Sequence, residues 1–227
     1  MRKMLIGLVL LLGSQSACNR HGPRFRPAAP PYQPPVADSG GGREYVQGRP
    51  TPAAPPVAKA PPAQTWFPRS RRIEPRWQYI VIHHSATETG GARAFDQFHR
   101  GKGWDELGYH FVIGNGTSTP DGMIEVGPRW EKQKHGAHCK TPGNFFNDHG
   151  IGICLVGDFT DNRPTRKQLT SLYHLVRFLC YACGIPPDRI STHGALTRHT
   201  VCPGPNFPIQ PLRNAIRATG SVASARR

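Results

Sequence analysis

Three side chains able to bind a metal stand far apart in this chain: His83, His193 and Cys202. Two imidazole nitrogens and one thiolate make three protein ligands for zinc, and three ligands leave a fourth tetrahedral position open to water. An open position is the mark of a catalytic zinc site, where the ion lowers the pKa of water from about 15.7 toward roughly 7 and polarises a carbonyl. Residue type alone leaves the ligand choice open. His84 adjoins His83, and successive strand residues point to opposite faces, so the two cannot easily bind one ion. His199 lies between His193 and Cys202 and competes for the second place. Cys202 has a second chemistry as well, since a thiolate near His193 or His199 is also the nucleophile of a thiol peptidase.

Each candidate needs an element to hold it. Tyr79 to Ile82 is a run of β-branched and aromatic residues that reads as a buried strand, with His83 at its C-terminal end. Residues 92–100 carry Phe95, Phe98 and His99 at helical spacing, and Gly101 and Gly103 end that helix. Tyr109 to Ile113 alternates as a strand, Asn115-Gly116 signals a turn, and Met123 to Val126 is the hairpin partner. Ile151 to Val156 is another apolar strand, with Cys154 buried and inert in it. Thr165 and Gln168 form a capping box ahead of Leu169, Leu172, Leu175, Val176 and Leu179, which share one helical face. Gly184 stops that helix, and Pro186-Pro187 prevents its continuation. Ile190 to Thr192 is a short strand delivering His193, and Phe207 to Ala218 forms a last helix. Strands interleaved with helices predict an α/β fold, a single domain with a mixed central β-sheet flanked by helices.

The N-terminal part of the 227-residue chain is different in kind. Of 24 prolines, 14 fall between residues 19 and 77, in a stretch that also holds Gly40-Gly41-Gly42. With few apolar residues and no sustained period, residues 19–77 read as a disordered Pro/Arg-rich linker, leaving residues 78–227 as the folded domain. Residues 1–18 read as an export signal: Arg2 and Lys3, an apolar run from Leu5 to Leu12, then small polar residues. Gln15-Ser16-Ala17-Cys18 makes Cys18 a candidate for lipidation and membrane anchoring, although Gln15 stands where an apolar residue is usual. The expected location is the periplasm or cell envelope. The net charge is +15, with 17 Lys and Arg against 11 Asp and Glu in residues 78–227, and 10 against 3 in residues 19–77. A basic surface favours polyanionic partners, which for an exported monomer means envelope lipids or cell-wall polymer, not nucleic acid. Export permits disulfides, and Cys139 has Cys180 or Cys183 as partners that spacing does not choose between.

Two more landmarks lie between the ligand candidates: Gly103-Trp104-Asp105-Glu106-Leu107-Gly108-Tyr109-His110-Phe111 and Ile151-Gly152-Ile153-Cys154-Leu155-Val156-Gly157. With Ile82-His83-His84-Ser85-Ala86 and Cys202-Pro203-Gly204-Pro205, in this order over residues 78–210, they resemble the zinc-dependent N-acetylmuramoyl-L-alanine amidases of the phage-lysozyme and peptidoglycan-recognition type. The resemblance implies Zn2+ held by His83, His193 and Cys202, with His84 left to a supporting role. It implies hydrolysis of the amide between N-acetylmuramic acid and L-alanine, with peptidoglycan or a muropeptide as substrate. Tyr109 matches the active-site tyrosine, whose phenol donates to the developing oxyanion or orients the water. Thr200 matches the position that polarises the scissile carbonyl or contacts the water. His138, in Gly136-Ala137-His138, matches a groove histidine and is expected to bind substrate. The step from His193 to Cys202 is one residue longer than in many relatives. Relatives lacking the cysteine generally bind the wall without cutting it, so Cys202 favours catalysis over the alternative, a non-catalytic recognition protein. One branch carries a glutamate where this chain has Cys154, so that base is absent here. The donor of a proton to the leaving amine is left among His138, Tyr109 and the zinc-bound water.

Overall fold

The apolar run ending at the first histidine pair forms strand β1 (Tyr79–His84) of a five-stranded sheet, in a computed structural model that describes residues 66–224. The expected signal segment, the candidate lipidation site Cys18 and the linker up to residue 65 lie outside the described residues. Along the chain follow α1 (Ala92–Gly101), β2 (Phe111–Ile113), β3 (Ile124–Val126), α2 (Pro128–Glu131), α3 (Phe145–His149), β4 (Gly150–Leu155), α4 (Arg166–Cys183), β5 (Ile190–Thr192), α5 (His193–Thr197) and α6 (Ile209–Ser224). The sheet order is β3-β2-β4-β1-β5. Only β3 runs antiparallel, as the hairpin partner of β2; β2, β4, β1 and β5 pair in parallel. The sheet is mixed, as the alternation of strand and helix signals predicts.

Alternation within the strands divides the two sheet faces. Ile80 and Ile82 of β1, with Ile151, Ile153 and Leu155 of β4, point into the main core with Leu172, Leu175, Val176 and Leu179 of α4 and with Leu212 and Ile216 of α6. Val112, Cys154 and Val156 point the other way, into a smaller cluster with Leu107 that packs beside Ala92, Phe95 and Tyr109. Each fully buried Leu or Ile contributes about 2 kcal/mol by leaving water. The capping box forms as expected: the Gln168 N–H donates to Thr165 Oγ1 at 3.0 Å, and the Thr165 N–H donates to Gln168 Oε1 at 3.1 Å. Gly184 takes the left-handed conformation that ends α4, with φ of 68°.

Two expectations change. Residues 66–77, assigned to the linker, pack onto the domain, and Trp66 and Trp77 are buried in its core. Their bulk and satisfied polar atoms explain it: the Trp77 indole donates to Gln133 Oε1 at 2.7 Å, and the Trp130 indole donates to Trp66 O at 2.6 Å. Proline density hid these two anchors. Phe98, at helical spacing with Phe95, does not share its packing: it is 58% exposed, with the Lys102 ammonium 4.3 Å from its ring centre. The five described cysteines are all free thiols, so the possible Cys139 pairings are not formed.

Candidate metal centre

Parallel register brings the first two ligand candidates together. Ile82 of β1 lies opposite Thr192 of β5. One residue further, His83, still in β1, and His193, the first residue of α5, stand side by side with ring centroids 4.7 Å apart. This is the carboxyl end of parallel strands, where α/β sheets expose groups to a ligand. His83 points to the face that carries Cys154, and His84 to the opposite face. There His84 is used up: its Nδ1 accepts the Phe159 N–H at 3.2 Å and lies 3.4 Å from the Asp158 carboxylate.

The third candidate returns through a closed loop. The Gly194 N–H donates to Cys202 O at 2.8 Å, tying the residue after His193 to Cys202. Gly194 is needed for space, since a Cβ there would meet Thr200 O at 2.5 Å. The His84 backbone N–H approaches Cys202 Sγ at 3.4 Å, and the Cys202 N–H donates to Thr200 Oγ1 at 3.1 Å. His199, the competing candidate, is exposed and outside the group. The donor atoms of His83, His193 and Cys202 all lie within 4.8 Å of one another, and His83 Nδ1 is 3.9 Å from Cys202 Sγ. Tetrahedral zinc, with bonds near 2.1 Å to nitrogen and 2.3 Å to sulfur, sets its ligands about 3.3–3.8 Å apart, so a small contraction fits the ion.

The electrostatics suit a cation. Burial pushes His83 well below the ordinary histidine range, and neighbouring imidazoles, His138 first, push it the same way. Burial also lowers His193. Both rings are therefore neutral near pH 7 and present lone pairs. Burial pushes the Cys202 thiol up to about 12, against the opposing pull of the His84 N–H. Without a cation this sulfur stays protonated at neutral pH, which disfavours a free thiolate nucleophile. A divalent ion supplies the charge that makes a coordinating thiol give up its proton. The donor set fits zinc.

Residues 73–205 match the family model described as N-acetylmuramoyl-L-alanine amidase. This chain belongs to that amidase family. Among curated proteins it is 30% identical over 136 residues to peptidoglycan-recognition protein LB of Drosophila melanogaster, covering 56% of this chain and 54% of that protein. It is 36% identical over 105 residues to the endolysin of Escherichia phage T7, covering 43% and 62%. The chain thus spans about half to three-fifths of the length of these relatives. Among solved structures, the endolysin amidase LysCS from Clostridium intestinale URNW superposes with a TM-score of 0.53 at 30% identity, over 64% of this chain and 88% of that one.

The other residues singled out by the family resemblance lie near the three candidate ligands. The Tyr109 ring lies 5.3 Å from that of His83, and burial raises its phenol well above the ordinary range, with Cys154 in hydrogen-bonding contact. Thr200 sits at the rim through its bond from the Cys202 N–H. His138, expected to bind substrate, is 8% exposed and directs both ring nitrogens at protein atoms: Nδ1 at His83 Nε2 and Nε2 at Gly150 O, each at 3.1 Å. That geometry points it inward, away from a substrate. Two supporting residues escaped the sequence reading. His99 accepts the Gly108 N–H at 3.1 Å on Nδ1 and stacks on Trp104 at 4.5 Å, bracing the segment that carries Tyr109. His110 accepts the Gly152 N–H at 3.0 Å on Nδ1 and contacts Lys134 O with Nε2. His110 stands in the run Gly108 to Phe111 and His99 in the helix before it, but only contacts between separate segments assign their roles.

Proposed function

We propose that this protein is a zinc-dependent N-acetylmuramoyl-L-alanine amidase that hydrolyses the amide between N-acetylmuramic acid and L-alanine in peptidoglycan. The observation that carries the proposal is the convergence of His83, His193 and Cys202 at the carboxyl end of two parallel strands. Bound there, zinc supplies a Lewis acid for the amide carbonyl and lowers the pKa of water. Tyr109 keeps its proton through the neutral range and donates a hydrogen bond to the oxyanion as negative charge develops, a contribution of about 3 kcal/mol. Thr200 already accepts from the Cys202 N–H, so its own hydroxyl proton can donate toward the same carbonyl. Cys154 contacts the Tyr109 hydroxyl and is kept protonated by burial, so it orients the phenol and does not act as a base. Hydrolysis adds water across the amide, its hydroxyl to the carbonyl carbon and a proton to the leaving nitrogen, with the neutral hydroxyls of Tyr109 and Thr200 beside the ligands to pass that proton on. The reaction belongs in the cell envelope, on the expectation of an export segment in residues 1–18 and an anchor at Cys18.

The test is release of peptides with an N-terminal L-alanine from purified peptidoglycan. Zinc-loaded protein is expected to release them, and Cys202→Ser is expected to fold and release none; equal release by the variant removes the assignment. Several relatives are named as peptidoglycan-recognition proteins, and recognition of the wall without cutting it is the second reading. That reading predicts wall binding with no stoichiometric zinc and no dependence on Cys202.

A further inference from the structure

We propose that His138 is a positioning residue that sets the tautomer of His83, so that His83 offers its Nδ1 lone pair to the metal. The inference rests on reading His83, His193 and Cys202 as metal ligands. A backbone carbonyl can only accept, so the 3.1 Å contact between His138 Nε2 and Gly150 O places a proton on Nε2. A neutral imidazole carries one N–H, so His138 Nδ1 is then an acceptor. His83 Nε2 lies 3.1 Å from that atom and has to supply the proton between them. Nδ1 of His83 is left bare, and Nδ1 is the atom 3.9 Å from Cys202 Sγ. A carbonyl at the start of β4 thus dictates the protonation of a ligand in β1 through two hydrogen bonds. Partners of this kind fix ring orientation and strengthen ligand basicity at metal sites.

The seat of His138 is built for this purpose. A Cβ at Gly152 would lie 2.4 Å from His138 Cδ2, and a Cβ at Gly136 would lie 2.4 Å from the same atom. The ring therefore rests against two stretches of bare backbone that no other residue leaves room for. Asn147 Oδ1 accepts the N–H groups of His138 and Cys139, both at 2.8 Å, which holds the backbone under the ring. A histidine meant to contact a substrate needs a nitrogen facing the groove; here both nitrogens face inward.

The experiment compares zinc affinity of the full chain, by competition with a chromophoric chelator, for wild type, His138→Phe and His138→Gln. His138→Phe keeps the ring volume and removes both hydrogen bonds, and is expected to bind zinc about 10–100-fold more weakly. His138→Gln restores an oxygen acceptor for His83 and an N–H donor for Gly150, and is expected to recover most of that loss. Unchanged zinc affinity in folded His138→Phe, with a raised KM for muropeptide, overturns the proposal in favour of a substrate contact. If the Phe variant does not fold, 15N spectra of the wild-type imidazoles decide. Coupling across the hydrogen bond between His83 Nε2 and His138 Nδ1 supports the relay, and its absence overturns it. Wild type that binds no zinc at all removes the metal reading itself, and is seen separately in the same titration.

Discussion

Two polar clusters grow out of one short stretch, Gly103 to Phe111, and they follow opposite electrostatic plans. At its start, Asp105 pairs with Arg129 and Lys134, and Glu106 pairs with Lys132 at 2.7 Å. Arg129 is fully buried and also donates to Leu107 O at 2.6 Å and His135 O at 2.7 Å. Every charge there meets its opposite, so the cluster clamps the backbone. Four residues on, Tyr109 enters a cluster of imidazoles, thiols and a phenol, all held neutral by burial. The first cluster is a set of ion pairs, three cations on two carboxylates; the second is neutral and brings its donor atoms to one point, where the proposed zinc would sit. Perturbed groups mark a functional site only in the second pattern, because ion-pair networks shift pKa values for structural reasons.

The largest expected effect breaks the neutral cluster directly. His193→Ala removes one of three zinc donors and is expected to lower amidase activity by at least about 10³-fold, while circular dichroism stays native because α4 and the main core are untouched. Chelation by excess EDTA should match that loss, and added zinc should restore wild type but not the variant. Tyr109→Phe keeps the ring and deletes the donor; kcat is expected to fall about 10²-fold with zinc affinity preserved. A loss confined to KM would assign Tyr109 to substrate binding instead.

The charged cluster should respond in stability and not in chemistry. Arg129→Met takes the donor from the Leu107 and His135 carbonyls and one of two cations from Asp105, and is expected to cost about 3 kcal/mol in chemical unfolding. Zinc affinity per folded molecule should hold. A large loss of affinity would mean the two clusters are coupled. Asp105→Asn is the mildest change, and its effect has a pH signature. The Lys134 ammonium, then the Arg129 guanidinium, hold the Asp105 carboxyl down at about 2. A depressed carboxylate stabilises the fold above its unfolded value near 3.9 and loses that contribution as pH falls toward 2. The wild type should therefore exceed Asp105→Asn in stability at pH 6, with the gap closing between about pH 4 and pH 2. Asp105 is half exposed, so solvent screening keeps the gap small.

Much of this arrangement is legible locally. The apolar run before His83, the capping box of Thr165 and Gln168, the stop at Gly184 and the short strand before His193 each depend on neighbours within a few residues, and each forms where local chemistry predicts. The order of four short motifs along the chain, through the family they resemble, nominated a donor set of two imidazole nitrogens and one sulfur, where residue type alone left His84 and His199 in competition. Other features needed the third dimension. Proline content placed residues 66–77 in the linker, yet two indoles more than 50 residues from their hydrogen-bond partners draw them into the core. That His83, and not His84, faces His193 and Cys202 follows from the sheet face, which the pairing of β1 with β4 and β5 decides. The role of His138 depends on a carbonyl in another element and on glycine-sized space against a strand. Propensity and periodicity act within a turn or two of chain, whereas register, burial and tautomer are set by which distant segments the sheet lays side by side.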